Sequence, residues 1–407
     1  MNLRKLIREG IEGSLFEMKL KELETPLNEI DWEGDFADVK GTCLNPIAVA
    51  KWLNEELGRL NSNKEAKDKD RQRRGAKDII VTRGNLEDVI DAEGNVNLKQ
   101  FMENILTEPD RIFDHNPKME KSDVGRPQLT MNTGIPAIVG IVYDKKSNHF
   151  YSVSTCPGAG SCQLGCYARK AFYGMDDTKT MKLTRRLNLL LNDPERYKQR
   201  IMEELEPHAS NLKRSSVGMP EPMTLVLRWN DAGDFFGDRY FNIAVDVTKE
   251  LIDKGYKVKS YAYSKNAKYV IELDKNKDFV VNFSTGSKPS ELKKVKDYDK
   301  DKRVNWSETV PKDLFDGIFE KKGAGYEKGY SGLPIWKNEN SPEELKDIIY
   351  NNYKRQYDLD RDSLKFTYEL PQKESEDEIF NVIVLPTGDS DIGAQRKDVK
   401  VSFLLFH

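Results

Sequence analysis

Between residues 223 and 322 the sequence alternates short apolar runs with helical ones, and this constrains the fold more than any other feature. MTLVLRWN, KVKSYAYSK, DFVVNFST and KRVNWSET read as strands. RYFNIAVDVTKELIDKG, NAKYVIELDK, SELKKVKDYDK and PKDLFDGIFEKK read as the helices that follow them. Strands and helices alternating at this spacing are the pattern of parallel βα units. Residues 178–206 are also helical, broken at Asn192-Asp193-Pro194. Before them, IPAIVGIVYD and HFYSVST flank the turn-like KKSN and read as a hairpin. A helix over 341–357 and the strand-like SLKFTYEL, NVIVLP and VSFLLF complete the chain. The expected architecture is α/β: a partial or complete parallel (β/α) barrel over 126–407, behind a mostly helical, loop-rich N-terminal appendage over 1–125.

Each strand in the series is apolar at its start and polar at its carboxyl end. The polar positions are Arg228 and Asn230, then Tyr261, Tyr263 and Lys265, then Asn282 and Ser284, then Asn305 and Ser307. Side chains two apart on a strand share a face, and ligands of parallel α/β folds bind beyond the strands' carboxyl ends. Arg228 and Asn282 lie inside otherwise apolar runs, where an unpaired polar group is costly. A ligand pocket is therefore expected at this rim, lined by Arg228, Asn230, Asp234, Tyr263, Lys265, Asn282 and Ser284. Asp231, Asp234 and Asp238 also cluster here, but the D-x-[DN]-x-[DN]-G calcium loop is absent. N-capping of the next helix explains one of these carboxylates as well as a cation would.

The sharpest motif is TCPGAGSCQLGCYAR, residues 155–169, which gathers three of the four cysteines directly after a strand. Clustered cysteines in a chain without a disulfide framework point to metal. Pro157, Gly158, Gly160 and Gly165 let backbone amides approach the sulfurs, as iron–sulfur proteins require. Structural zinc, the alternative, takes four protein ligands in closely spaced pairs, and no fourth cysteine lies nearby. Cys156, Cys162 and Cys166 are thus expected to hold a 4Fe-4S cluster with one iron open to a small-molecule ligand. S-adenosylmethionine is the first cosubstrate to test, although Cys-x5-Cys-x3-Cys differs from the usual Cys-x3-Cys-x2-Cys of radical enzymes that use it. His407, at the end of an apolar strand, reads as a frayed or surface terminus, with a ligand to the open iron as the alternative. Cys43 stands alone and reads as a small buried side chain.

The charge balance is 65 basic against 68 acidic residues, a net charge of −3, which excludes whole-surface attraction to nucleic acid or anionic lipid. No run approaches the roughly 18–20 apolar residues of a membrane helix. Charges at Arg4, Lys5, Arg8, Glu9 and Glu12 interrupt any signal-peptide core. A soluble, intracellular protein without a membrane partner is expected. The first 25 residues read as an amphipathic helix, and residues 45–60 as another. Residues 62–78 carry seven basic and four acidic side chains and no aromatic, and read as a solvated loop.

TCPGAGSCQLGCYAR, RRLN (185–188), LRWNDAGDFFGDRYF (227–241) and YAYSK (261–265) occur in the order found in the phage "gene product 88" domain family, which this chain resembles. The C-terminal GDSDIGAQRKDVKVSFLLFH is similar to a recurrent ending of that family. The resemblance runs over about residues 128–407. It implies a bacteriophage origin, a location in the host cytoplasm and a fold like that of radical-enzyme barrels, with Asp234 lining the cavity beside the cysteines. It implies no particular reaction. Two functions are carried forward. One is a phage iron–sulfur protein with radical S-adenosylmethionine-type chemistry. The other is a non-enzymatic protein, stabilised by zinc or iron–sulfur. It would contact nucleic acid, a host factor or a virion component through the 62–78 loop and the N-terminal helix.

Overall fold

The computed structural model describes residues 30–31, 36, 39–44, 98–115, 119–120, 123, 125–166, 168, 177–299, 304–322, 325–327, 334–369, 380–383, 391 and 393–405. The expected helices over 1–25 and 45–60, the basic loop over 62–78 and His407 lie outside them.

In chain order the elements begin with β1 (Ile30–Asp31), β2 (Lys40–Leu44), α1 (Leu98–Leu106), β3 (Gln128–Asn132), β4 (Val139–Asp144) and β5 (His149–Ser154). Next come α2 (Asp177–Asn192), α3 (Pro194–Ser215), β6 (Thr224–Trp229), α4 (Asp238–Asp253), β7 (Val258–Ser264) and α5 (Ala267–Glu272). β8 (Phe279–Ser284), α6 (Pro289–Tyr298), β9 (Asn305–Val310) and the short ribbon β10 (Lys321–Lys322) and β11 (Gly325–Tyr326) follow. The last elements are α7 (Ser341–Tyr357), β12 (Leu364–Phe366), β13 (Phe380–Ile383) and β14 (Val399–Leu405).

Eight strands make one sheet in the order β12-β13-β14-β9-β8-β7-β6-β3. Every neighbouring pair in it is parallel. Central strands of such a sheet are buried on both faces, and all six residues of β6 are buried. Leu225, Leu227 and Trp229 enter the main core with Phe279, Val281 and Phe283, beside buried residues of α3 and α4. On the opposite face, Val226, Tyr261 and Val280 pack with Ala394 and Tyr263. Among the described residues, no helix of the βα series joins this cluster. Residues 393–398 lie over it: Asn282 Nδ2 donates to Ala394 O at 2.9 Å and Asn305 Nδ2 to Arg396 O at 2.9 Å.

The expectation of a complete barrel is corrected: the sheet is open. Closure needs the two edge strands to share a hydrogen-bonded register, and β3 and β12 do not pair. The outer edge of β3 is already taken at Asn132, which exchanges backbone hydrogen bonds of 2.7 Å with Asp114. β12, at the other edge, is only three residues long. PKDLFDGIFEKK also departs from its helical reading. It forms a 3-10 turn at Lys312–Leu314, continues in turns through residue 318, and is extended only from Phe319, which bridges to Trp336 and stacks on its ring at 4.5 Å.

The hairpin forms as expected, with Asp144 accepting from the Lys146 and Ser147 amides at 3.0 Å to fix its turn. The break between α2 and α3 is a cap: Asp193 accepts from Arg196 N, and Pro194 occupies the first turn. β2 pairs antiparallel with β5, so the N-terminal segment contributes strands to a second sheet, β1-β2-β5-β4. Cys43 of β2 is buried within the core, as expected.

Asp114 ties the β3 edge to α2. Arg186, only 2% exposed, donates Nη2 to Asp114 Oδ2 at 2.6 Å, and Lys182 pairs with Oδ1. Burial raises the Asp114 carboxyl, but Arg186 and Lys182 outweigh it and hold the group below its ordinary value. A depressed folded pKa gives stability that is present above the unfolded value, about 3.9, and is lost as pH falls through the folded one. Asp114→Asn should therefore cost about 1–2 kcal/mol at neutral pH, discounted because the carboxylate is partly exposed. Urea titrations from pH 7 to pH 3 check the sign: the gap between variant and wild type should narrow as pH falls below about 4.

Candidate functional site

The cysteine loop leaves β5 and lies across the carboxyl ends of β7 and β8. Ala159 forms an antiparallel bridge with Ser287 in the loop after β8. Gly160 N and Cys162 N both donate to Gly286 O, at 2.9 and 3.3 Å, and Lys288 N donates to Gly158 O at 2.8 Å. Contact is close enough to require glycine. A Cβ on Gly158 would meet Lys265 O at 2.3 Å, one on Gly160 would meet Ser287 O at 2.4 Å, and one on Gly286 would meet the Cys162 Cβ at 2.7 Å.

Cys156 is fixed by the turn before β4. Ile138 N donates to Cys156 Sγ at 3.3 Å, while Ile138 O accepts from Thr155 N at 3.0 Å. Ile138 has φ of 71°, a left-handed conformation that is costly for a β-branched residue. The strain sits where the backbone grips the first cysteine.

Asp234 joins the cysteine loop to β7. It is fully buried, and its amide donates to Thr155 O at 2.9 Å. Its Oδ1 accepts from Ser264 Oγ and Phe235 N, both at 2.7 Å, and its Oδ2 accepts from Lys265 N at 2.8 Å. Burial raises its carboxyl; Lys265, Ser264 and the backbone donors pull the other way without cancelling it.

The three thiols share one electrostatic neighbourhood with Lys265. Burial pushes the Cys156 thiol up to about 12; Asp234 adds to the rise, and Lys265 and the Ile138 amide oppose it. Burial likewise raises Cys162, against Lys265. Lys265 is itself lowered by burial, but Cys162, Asp234, Cys156 and Cys166 overcome that and raise it. At neutral pH Cys156 and Cys162 are thus thiols and poor nucleophiles. A bound metal would change this, because it deprotonates a coordinating thiol outright. Among the described residues, no three His, Cys, Asp or Glu side chains converge into a ready-made metal cage. What the loop offers a metal is chemical: three sulfurs within eleven residues, Cys156, Cys162 and Cys166. Two buried hydroxyls flank the loop, Thr155 Oγ1 and Ser287 Oγ, and neither has a hydrogen-bond partner among the described residues.

The residues expected at the rim separate into two groups. Asp234 and Lys265 lie against the cysteine loop, and Ser284 is half-buried at the end of β8. Arg228, Tyr263 and Asn282 face the C-terminal segment instead. Arg228 pairs with Asp231 and Asp391, each at 3.0 Å, and lies over the Tyr263 ring. Asn282 donates to Ala262 O and Ala394 O, leaving its buried Oδ1 without a donor. Asn230 turns to the helical side, at φ of 59°, where Tyr240 Oη donates to its Oδ1 at 2.8 Å.

A shared cation at Asp231, Asp234 and Asp238 is not formed. Asp231 serves Arg228 and Asn132, Asp234 serves β7, and Asp238 binds Lys268 and Tyr269. Sequence reasoning missed Ile138, Ser264 and Gly286 as parts of this region. Gly286 carried a signal, a glycine two residues after a strand; the other two carried none.

Fold and site together define an open parallel α/β sheet whose carboxyl rim is covered by a three-cysteine loop. The chain belongs to the Gene product 88 family, a phage gene-product family whose model matches residues 112–329. The match takes in the cysteine loop and strands β3 to β9, while β12, β13 and β14 lie beyond it. No curated protein and no solved structure matches the chain. No helix among the described residues is long and apolar enough to cross a membrane.

Proposed function

We propose that this phage protein, working in the host cytoplasm, carries a 4Fe-4S cluster on Cys156, Cys162 and Cys166. One iron is left open to a small-molecule ligand at the strand rim. The observation that carries the reading is the docking of the cysteine loop. Its glycines press it onto the ends of β7 and β8, where ligands of parallel α/β proteins bind. Such a cluster supplies one-electron chemistry. S-adenosylmethionine is the first cosubstrate to test, and a radical reaction is the first enzymatic class. The protein's own part is to hold three thiolates, keep Lys265 beside them and cover the centre with the loops after β7 and β8. Because thiols raised by burial must lose protons to bind metal, loading is coupled to local folding.

The test is anaerobic purification followed by iron, acid-labile sulfide and zinc analysis, with the Cys156→Ala/Cys162→Ala/Cys166→Ala variant alongside. About four irons and four sulfides per chain are expected, absent from the triple variant. Zinc at one per chain would replace the redox reading with a metal-stabilised binding protein. Metal-free wild type would remove the centre altogether.

A further inference from the structure

We propose that the cavity between residues 109–114 and α2 binds the phosphate group of a small phosphate monoester. No cysteine lines it, and it needs no metal. RRLN, residues 185–188, lies in α2 beside it. Three of its residues serve the fold. Arg186 holds Asp114, and Leu187 is core. Asn188 clamps β4, donating Nδ2 to Ile141 O at 3.0 Å and accepting from Tyr143 N at 2.9 Å. Arg185 faces the cavity instead.

The cavity holds about 280 Å³ and is lined by Pro109, Asp110, Arg111, Asp114, Lys182 and Arg185. That is the lower end of small-molecule sites, about 300–1,000 Å³. Lys182 and Arg185 lie three apart on α2 and so share a face of it. Arg185 donates Nε to Asn104 O at 2.8 Å, and among the described residues its two Nη atoms have no hydrogen-bond or ion-pair partner. The same is true of the exposed Arg111 guanidinium among the described residues. Behind them, Asp114 is one carboxylate shared by two cations, Arg186 and Lys182. Arg186 is almost fully buried, where a charge requires a partner. Asp114 therefore serves Arg186, and it cannot neutralise Lys182 as well.

Charge names the ligand class. Four cations, Arg111, Lys182, Arg185 and Arg186, stand against two carboxylates, Asp110 and Asp114, which leaves an excess of two positive charges. A phosphate monoester carries about −1.5 to −2 at neutral pH on three acceptor oxygens. A guanidinium can meet two of those oxygens with parallel N–H bonds. A carboxylate ligand would bring only half the charge. A nucleic-acid strand would bring further phosphates beyond the cavity, and the chain entering it from α1 exposes Glu103 and Glu108. Volume and charge together fit one terminal phosphate on a small body.

The experiment is a calorimetric titration of the full chain with inorganic phosphate and with glycerol phosphate, a small monoester. Wild type is compared with Arg185→Gln, Arg111→Gln and the control Lys293→Gln. Glycerol phosphate should bind with a Kd below about 1 mM and raise the urea midpoint of wild type. Arg185→Gln should weaken it about tenfold or more, the loss of a charge-assisted hydrogen bond. Arg111→Gln should weaken it several-fold. Lys293→Gln, which removes only an exposed ion pair on α6, should leave it unchanged. Arg111 is exposed, so Arg111→Gln keeps the test sound if Arg185→Gln disturbs the fold by losing its bond to Asn104 O. No heat and no midpoint shift with either ligand would overturn the site. Equal affinity in wild type and both arginine variants would place the phosphate elsewhere and overturn it too. Tighter binding of a single-stranded oligonucleotide without terminal phosphates, lost in the same variants, would replace the monoester with a nucleic-acid backbone.

Discussion

Gly158→Ala and Gly160→Ala are expected to lift the cysteine loop off the sheet. The new methyl group at residue 158 would sit 2.3 Å from Lys265 O, and that at residue 160 would sit 2.4 Å from Ser287 O. Both obstacles are backbone atoms, which cannot swing aside as a flexible side chain does. Overpacking costs about 1–3 kcal/mol where side chains can adjust; these positions should lie at the upper end. Gly160→Ala also strains the Gly160 N to Gly286 O hydrogen bond and the Ala159–Ser287 bridge beside it. Gly317→Ala is the control, because nothing lies within 4 Å of its added Cβ. Urea unfolding should place both loop variants clearly below wild type and Gly317→Ala within about 0.5 kcal/mol of it. Cys156, buried in the wild type, should become reactive to a thiol reagent in the loop variants. Unchanged stability and unchanged thiol protection in both would mean that the close docking is not a constraint.

Local features carried most of what the sequence could tell. The βα series was legible because strands buried on both faces read as unbroken apolar runs, and β6 and β8 are such strands. The hairpin and the α2–α3 break were legible from turn and cap residues, Asp144 and Asp193-Pro194. PKDLFDGIFEKK misled because Phe315, Ile318 and Phe319 have helical spacing. Their burial in the main core is nevertheless achieved from a run of turns, with Phe319 stacked against Trp336 and edge-on to Tyr326.

Features that depend on distant pairing were not legible. Whether the sheet closes depends on Asp114 occupying the β3 edge and on the shortness of β12, neither of which local periodicity encodes. The rim set shows the same limit. Alternation correctly placed Arg228, Tyr263 and Asn282 on one polar face. It gave no pairing there: Arg228 meets Asp391 and Asn282 meets Ala394, both from the polar segment before the last strand. Asn230 left the face at a single positive φ, and its side chain accepts from Tyr240 Oη on the helical side. The cysteine motif itself was visible, but its anchorage was not: Gly286, Ser287 and Ile138 come from two other loops.

Asp234→Ala should be the most damaging single substitution in this region. The carboxylate is fully buried and accepts from Phe235 N, Ser264 Oγ and Lys265 N. Alanine leaves all three donors without their acceptor, and each such buried group costs about 1–3 kcal/mol. The donors share one site and relax together, so the sum is less than additive. A loss of about 3–5 kcal/mol is expected, in the range that marks a broken buried network. Ser264→Ala removes one donor along with its bond and should cost about 1 kcal/mol. Asp234→Asn separates shape from charge. Its amide oxygen can still accept from Phe235 N and Ser264 Oγ, but its NH2 would face the Lys265 N–H, donor against donor. An intermediate loss is expected there, with the cysteine loop loosened because Lys265 N is one of two ties from the end of β7 to Asp234, whose own amide ties to Thr155 O. Urea denaturation of the three variants, with thiol protection of Cys156 measured on each, gives the order. Ala worse than Asn worse than Ser264→Ala fits a buried acceptor that holds the loop to the sheet. Equal, small losses in all three would place the hold elsewhere, on the Gly158 and Gly160 contacts alone.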